Sequence, residues 1–162
     1  MSDKRFDEIY ELVQKSFPNC CIVYIEEVFN EFLLKNYNEC KRDMVEFNSE
    51  KQLFHGTSES AVGSIINYGF DPTMNKTSAY GYGTYFAVDA KYSNNYMRSS
   101  NEITFMFLAD VLIGKLATRQ PRSETFTWDN NVDNLLNPTI YTTPYHGGAY
   151  PRYVVAFHKN AN

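Results

Sequence analysis

Three separated stretches hold side chains that could grip a flat, polar ring. They are Leu53-Phe54-His55-Gly56-Thr57, Tyr80-Gly81-Tyr82-Gly83-Thr84-Tyr85-Phe86-Ala87 and Tyr92-Ser93-Asn94-Asn95-Tyr96. Together they offer an imidazole, a glycine that lets a ligand touch the backbone, aromatic faces and a hydroxyl, which are the parts needed to hold a planar carboxamide. Singly each is a weak signal: a lone histidine is more often structural, a serine is often a helix cap, and tyrosines usually belong to the core. No GxGxxG follows a strand and no GxxxxGK[ST] occurs, so the common backbone cradles for dinucleotides and triphosphates are missing and any nucleotide must be held another way.

The elements that must position these residues can be read from apolar spacing. Phe6, Ile9, Tyr10, Leu12 and Val13 recur at helical spacing until Pro18-Asn19 stops the run. Cys20 to Ile25 reads as a strand, and Val28, Phe29, Phe32, Leu33 and Tyr37 restore the helical period. Leu53-Phe54-His55 reads as a short strand followed by a helix capped by Ser58 and ending at Gly69, which sets His55 and Gly56 where a strand becomes a loop. Asp71 to Gly83, with few aliphatics, is a loop suited to covering a ligand. Thr84 to Ala87 follows it, then a short helical stretch from Asp89 to about Arg98, then the apolar run Ile103 to Ile113 as a central strand. Thr139 to Thr143 and Tyr153 to Phe157 are strand-like and, with Tyr145-His146-Gly147-Gly148 between them, suggest a hairpin. Helices dominate the first half and strands the second, so the pattern predicts α+β. With no repeat and no linker, residues 1–162 read as one domain.

Composition narrows the class. The chain is 43% hydrophobic and 16% aromatic, enough for a real core, and its formal net charge of -4 supplies no global positive field for duplex nucleic acid. Cys20, Cys21 and Cys40 lack metal-site spacing and are odd in number, so they read as buried, reduced thiols with no disulfide framework and no metal. No apolar stretch approaches the ~20 residues of a membrane helix, and the polar start MSDKRFDE lacks a signal-peptide core. These features predict an intracellular protein, in cytoplasm or nucleus, with no membrane partner.

The motifs HGT, GYGTYFA and the following Ser-x-x-Tyr occur in this order and spacing in one known group of enzymes. Through them the chain resembles the catalytic domain of the poly(ADP-ribose) polymerase family, in its mono-ADP-ribosylating branch with a His-Tyr-Ile triad. The likeness extends to Ile25–Met44 upstream. It also takes in Asn137-Pro138-Thr139-Ile140-Tyr141 and Ala149 to Phe157, which look like the end of the macrodomain-associated members. The resemblance covers nearly the whole chain and leaves no room for the regulatory helical domain of some relatives.

What the resemblance implies is an ADP-ribosyltransferase fold, two antiparallel sheets forming a cleft with NAD+ lying across it as co-substrate. The backbone of Gly56 would meet the nicotinamide carboxamide with Ser93 in support, and Tyr85 and Tyr96 would sandwich the ring. His55 would bind the ribose 2'-hydroxyl and Thr57 would help place the adenosine side, with Phe86 and Ala87 beside Tyr85 in the binding strand. Ile140 would occupy the third triad position. An aliphatic side chain there has no proton acceptor with which to activate an incoming ADP-ribose hydroxyl, so transfer would stop after one unit. The departures are the slightly short loop 71–83, which has Asp71-Pro72 where an arginine is often found, and Lys76 as the one nearby cation offered to the pyrophosphate.

The acceptor stays open between a protein side chain, this chain's own included, and a phosphorylated nucleic-acid end; the latter would draw on Arg98, Arg119 and Arg122. A catalytically inactive binding module is the main alternative. A polymerising enzyme would need Asp133 or Glu124 to reach the pocket. The chain is expected to be a monomer.

Overall fold

A strongly apolar run such as Ile103–Ile113, broken only by Thr104 and Asp110, suits a strand covered on both faces. In the computed structural model, which describes residues 4–75, 79–93 and 102–158, it lies inside the sheet. In chain order the elements are α1 (Lys4–Ser16), β1 (Cys21–Glu27), α2 (Glu31–Asp43), β2 (Ser49–Thr57), α3 (Glu59–Tyr68) and a 3-10 turn (Pro72–Met74). There follow β3 (Thr84–Ala87), α4 (Ala90–Ser93), β4 (Ile103–Ile113), β5 (Leu116–Ala117), β6 (Asn130–Asn131), β7 (Ile140–Thr143) and β8 (Ala149–His158). Six strands in the order β1-β8-β4-β2-β3-β7 pair antiparallel throughout, and β5 and β6 form a short parallel pair that Val132 links to Tyr141. The chain is α+β, as its pattern of helices and strands predicts.

Side chains alternate across a strand, and β4 uses both of its faces. Phe107, Ala109 and Val111 pack with Leu53, Phe70, Phe86 and Val154 beneath Val62, Ile65 and Ile66 of α3. Met106 and Leu108 pack with Phe54, Val155 and Phe157 against Ile9 and Val13 of α1. Leu33 and Tyr37 of α2 close over Leu112 and Tyr150. Phe70 stands edge-on to both Phe86 (5.1 Å) and Phe107 (5.7 Å). Burying each such side chain contributes roughly 1.5–3 kcal/mol, whereas an exposed pair such as Arg5–Glu27 contributes about 1 kcal/mol or less. The two-sided core therefore holds the fold, and the surface charges do not.

Several local expectations need correction. Thr139–Thr143 and the last strand do not form a hairpin: β7 pairs with β3 at one edge, while β8 lies between β1 and β4. Both strands are buried nearly throughout, although only β8 has a strand on each side, and Tyr145–Gly148 is a turn set against α2 at Asn36. Helix α2 starts after Val28 and Phe29 because the Asn30 side chain caps it, accepting from the Leu33 amide at 3.1 Å. The same side chain donates to the Ile66 carbonyl at 2.9 Å, tying the start of α2 to the end of α3. Ser58 precedes α3 but its hydroxyl meets Ser60 rather than a helix amide. Of the cysteines only Cys20 is buried; Cys21 is exposed at the end of edge strand β1, and Cys40 is half-buried.

A polar knot gave no sign in the sequence. Asp129, Asn130 and Asn131 are all at 0% exposure. The Asp129 carboxylate accepts from the amides of Val45, Glu46 and Lys115 and from the Tyr145 hydroxyl, at 2.7–2.9 Å. Asn130 accepts from the Gly114 amide and donates to the carbonyls of Leu112 and Thr142. The side-chain oxygens and amide nitrogens of these three residues are thus all given partners, as burial demands, and the polar stretch 114–137 is stitched to the sheet. Trp128, 4% exposed, closes over it edge-on to Phe126.

Candidate active site

Strands β2 and β3 share one registered pair, Phe54↔Ala87. Beyond it β2 continues along β4 as far as Thr57↔Phe105, and β3 continues along β7 as far as Thr84↔Thr143. The two halves of the sheet therefore splay, and a cavity of about 400 Å³ opens between them. Its walls are residues 54–57 on one side and Thr84, Tyr85 and Ala87 on the other, with Tyr92 and Ser93 of α4. Ala61 and Ser64 of α3 and the segment from Gly69 to Asn75 complete it. That volume lies within the range of small-ligand sites.

His55 bridges the fork. Its Nδ1 lies 2.7 Å from the Tyr85 carbonyl oxygen. A carbonyl can only accept, so Nδ1 carries the proton and the neutral ring keeps Nε2 as an acceptor. Burial pushes the His55 pKa below its ordinary value, outweighing the opposite pull of the Tyr85 carbonyl. The ring stands edge-on to Phe70 (5.0 Å) and leans on Phe86 (5.4 Å), which fixes its plane. Phe86 serves the site from behind His55 and does not line the cavity; Thr57 and Ala87 do.

Gly56 faces α4 so closely that a Cβ there would overlap the Ser93 carbonyl. Glycine is needed for this approach, which brings Ser93, 2% exposed, to the cavity wall. Register pairs Gly56 with Met106 of β4, and β3 has turned away at that level.

Tyr85 presents its ring to the cavity and spends its hydroxyl elsewhere. That hydroxyl accepts from the Tyr80 amide at 2.8 Å and donates to the Gly81 carbonyl at 3.0 Å. Gly81 has φ 98°, a left-handed conformation that suits glycine. Asn131 holds the same turn from outside, donating to the Tyr82 and Gln120 carbonyls. Asn75 closes its other end through a 2.6 Å bond to the Gly83 carbonyl. We expect Tyr85→Phe to keep the aromatic face but free this turn, at about 1–2 kcal/mol for the unpaired groups. NAD+ titrations should show KM raised several-fold with kcat little changed; an unaltered KM would remove the hydroxyl from the site's construction.

Ile140 sits opposite Ala87 in β7, 2% exposed, in an apolar cluster with Tyr85, Ala87, Tyr80 and Tyr92. It backs Tyr85 and Ala87 rather than lining the cavity. Asp133 fixes its place, accepting from the amides of Thr139 and Ile140 and from the Thr139 hydroxyl. Although partial burial acts the other way, those bonds hold the Asp133 carboxyl below its usual range. This carboxylate is committed to the turn before β7. Tyr96, Arg98 and Lys76 lie outside the described residues.

Sequence reasoning missed the contribution of α3, whose small residues Ala61 and Ser64, three apart, leave the cavity room. It also missed Tyr92 and Phe70. Asp71 lines the cavity mouth, and its carboxyl is held below the usual range by the hydroxyl and amide of Thr73.

Comparison with known proteins points to one family. A family model described as the poly(ADP-ribose) polymerase catalytic domain matches residues 4–134, ending before Ile140. Human protein mono-ADP-ribosyltransferase PARP12 is 31% identical over 172 residues, covering 96% of this chain and 24% of its own length. Human protein mono-ADP-ribosyltransferase PARP14 is 32% identical over 176 residues, covering 94% of this chain and 10% of its own. Mouse protein mono-ADP-ribosyltransferase PARP11 is 30% identical over 190 residues, covering 94% and 57%. The chain belongs to the poly(ADP-ribose) polymerase catalytic-domain family, a class of ADP-ribosyltransferases that use NAD+. It spans about a quarter of the length of PARP12.

Proposed function

We propose that this domain transfers a single ADP-ribose from NAD+ to an acceptor carboxylate and releases nicotinamide. The observation that carries the reading is the His55–Tyr85 bridge across the fork: it orients a neutral imidazole whose Nε2 can accept from a ribose hydroxyl. Around it the cavity offers what a nicotinamide head needs, namely the Tyr85 ring, the Ser93 side chain and the Gly56 backbone. NAD+ supplies a C–N bond whose electron pair departs with nicotinamide, leaving it neutral. An acceptor carboxylate, already ionised near neutral pH, closes the new bond at ribose C1, and no proton need be moved. The residues of the site then act by holding and orienting, which is where most of the rate would come from.

Two features support stopping at one unit. Ile140 offers no proton acceptor, and Asp133, the nearest carboxylate in sequence, is occupied by the turn before β7. The names of PARP12, PARP14 and PARP11, mono-ADP-ribosyltransferases, point the same way. The test is incubation of the purified protein with labelled NAD+, resolving protein by gel and nicotinamide by chromatography. A discrete single-unit label with nicotinamide release is expected. A ladder would overturn the single-unit reading, and no label with no thermal shift by NAD+ would favour an inert binding module. Ile140→Glu would bury a carboxylate in the Tyr85–Ala87 cluster, where an unpaired charge costs several kcal/mol. We expect that variant to lose thermal stability and to make no ladder.

A further inference from the structure

The Tyr85 ring is part of the cavity wall, yet what holds it lies outside the cavity. Its hydroxyl is tied twice to the turn 80–83, through the Tyr80 amide and the Gly81 carbonyl. That turn contains two glycines with positive φ, Gly81 at 98° and Gly83 at 137°. Glycine leaves the backbone open to other shapes, so the shape of the turn, and with it the tilt of the ring, has to be set from elsewhere.

The side chain that grips the turn is Asn131, at 0% exposure and 49 positions from Tyr82 in the chain. Its Nδ2 donates to the Tyr82 carbonyl at 3.2 Å and to the Gln120 carbonyl at 3.0 Å, while its Oδ1 accepts from the Gln120 amide at 2.9 Å. The Gln120 carbonyl also accepts from the Tyr82 amide at 2.9 Å. Both backbone groups of Tyr82 are therefore bonded to this pair. Thr142 closes the circle, its hydroxyl donating to the Tyr82 carbonyl and accepting from the Asn131 amide. The packing is equally close, since a Cβ on Gly81 would overlap the Asn131 carboxamide. Arg119, just before Gln120, is the one residue other than glycine with positive φ among the described residues, at 51°. Such a conformation persists where its surroundings over-determine it, and Asn131 fixes the next residue at both its amide and its carbonyl. The bonds of the Asp129 carboxylate, two residues away and as deeply buried, go instead to Val45, Glu46, Lys115 and Tyr145.

Resting on the transferase reading above, we propose that Asn131 is a positioning residue for NAD+. Through the turn 80–83 and the Tyr85 hydroxyl it fixes the ring against which the nicotinamide head packs, and it does so without lining the cavity. Loss of its two donations lets turn and ring drift, which weakens NAD+ binding, while the orientation of the ribose by His55 is left in place.

The test is nicotinamide release at varied NAD+ concentration, with thermal unfolding of the same samples. Asn131→Asp keeps an oxygen for the Gln120 amide and removes both donations. Its KM for NAD+ should rise about tenfold, the scale of one or two lost hydrogen bonds, with kcat within about twofold. Asp129→Asn should lower Tm at least as much and leave KM unchanged, which separates positioning from loss of stability. In Asn131→Asp/Tyr85→Phe, KM should rise no further than in the worse single variant, because both changes act on one turn. Thr142→Val takes one bond from the Tyr82 carbonyl and keeps the side-chain shape; it should raise KM about twofold and serves as the test if Asn131→Asp does not fold. An unchanged KM in the variant that folds, an equal rise in Asp129→Asn, or effects that multiply in the double variant would overturn the proposal while wild-type turnover upholds the transferase reading. A wild type that neither releases nicotinamide nor shows a thermal shift with NAD+ would overturn that reading and the role of Asn131 with it.

Discussion

His55→Ala should reduce kcat/KM for nicotinamide release at least about a hundredfold, the scale on which a positioned side chain of this kind acts. The imidazole provides the Nε2 acceptor, and its bond to the Tyr85 carbonyl spans the fork in which the cavity lies. The same change removes an edge-on contact with Phe70, worth about 1 kcal/mol. Tm should therefore fall by only a few degrees while activity collapses. Comparable turnover in the variant would remove His55 from the mechanism. The pH profile follows from burial. His55 titrates below its ordinary value of 6.5, so the acceptor form is complete above that pH and is lost as pH falls through the lowered value. Stability has the same sign. The unfolded chain takes up the proton first, so the contribution is present above about pH 6.5 and declines below it. Activity should thus hold down to mildly acid pH, and an acid limb centred above 6.5 would contradict the half-buried, neutral ring.

Gly56→Ala should be nearly as damaging by a different route. The new Cβ meets the backbone of Ser93, including its Cα at 3.2 Å, and a backbone cannot rotate aside as a side chain can. Overpacking of this kind costs about 1–3 kcal/mol, or roughly 2–10 °C in Tm for a domain of this size. Because α4 must move, Ser93 leaves the cavity wall, and the thermal shift produced by nicotinamide should be lost. Gly63→Ala is the control: nothing lies within 4 Å of the added Cβ. That helical position should gain about 0.5–1 kcal/mol. If Gly56→Ala bound nicotinamide as the wild type does, the close approach of β2 and α4 would not be what builds the site.

The α+β class and most elements could be read from the chain because they rest on local periodicity. Ile103–Ile113 could only be a strand buried on both faces, and Val62, Ile65 and Ile66 mark the buried stripe of α3. The stretches around His55, Tyr85 and Ser93, each a weak signal alone, stood out because their order and spacing resemble those of the family's catalytic domain. Partner choice between strands was not legible. Thr139–Thr143 looks equally suited to the last strand or to β3, and only the competition for buried edges sends it to β3. The Asp129–Asn131 knot was equally silent, since a polar run in sequence becomes a buried clamp only when distant amides converge on it. The sequence by itself offered the residue types that could grip a carboxamide ring, and its resemblance to the family offered Ile140 for the third position. Tertiary structure alone decided that β2 and β3 part after one pair, that α4 closes on Gly56, and that His55 spans the gap. Those outcomes depend on contacts between residues tens of positions apart, whose energies no local pattern contains.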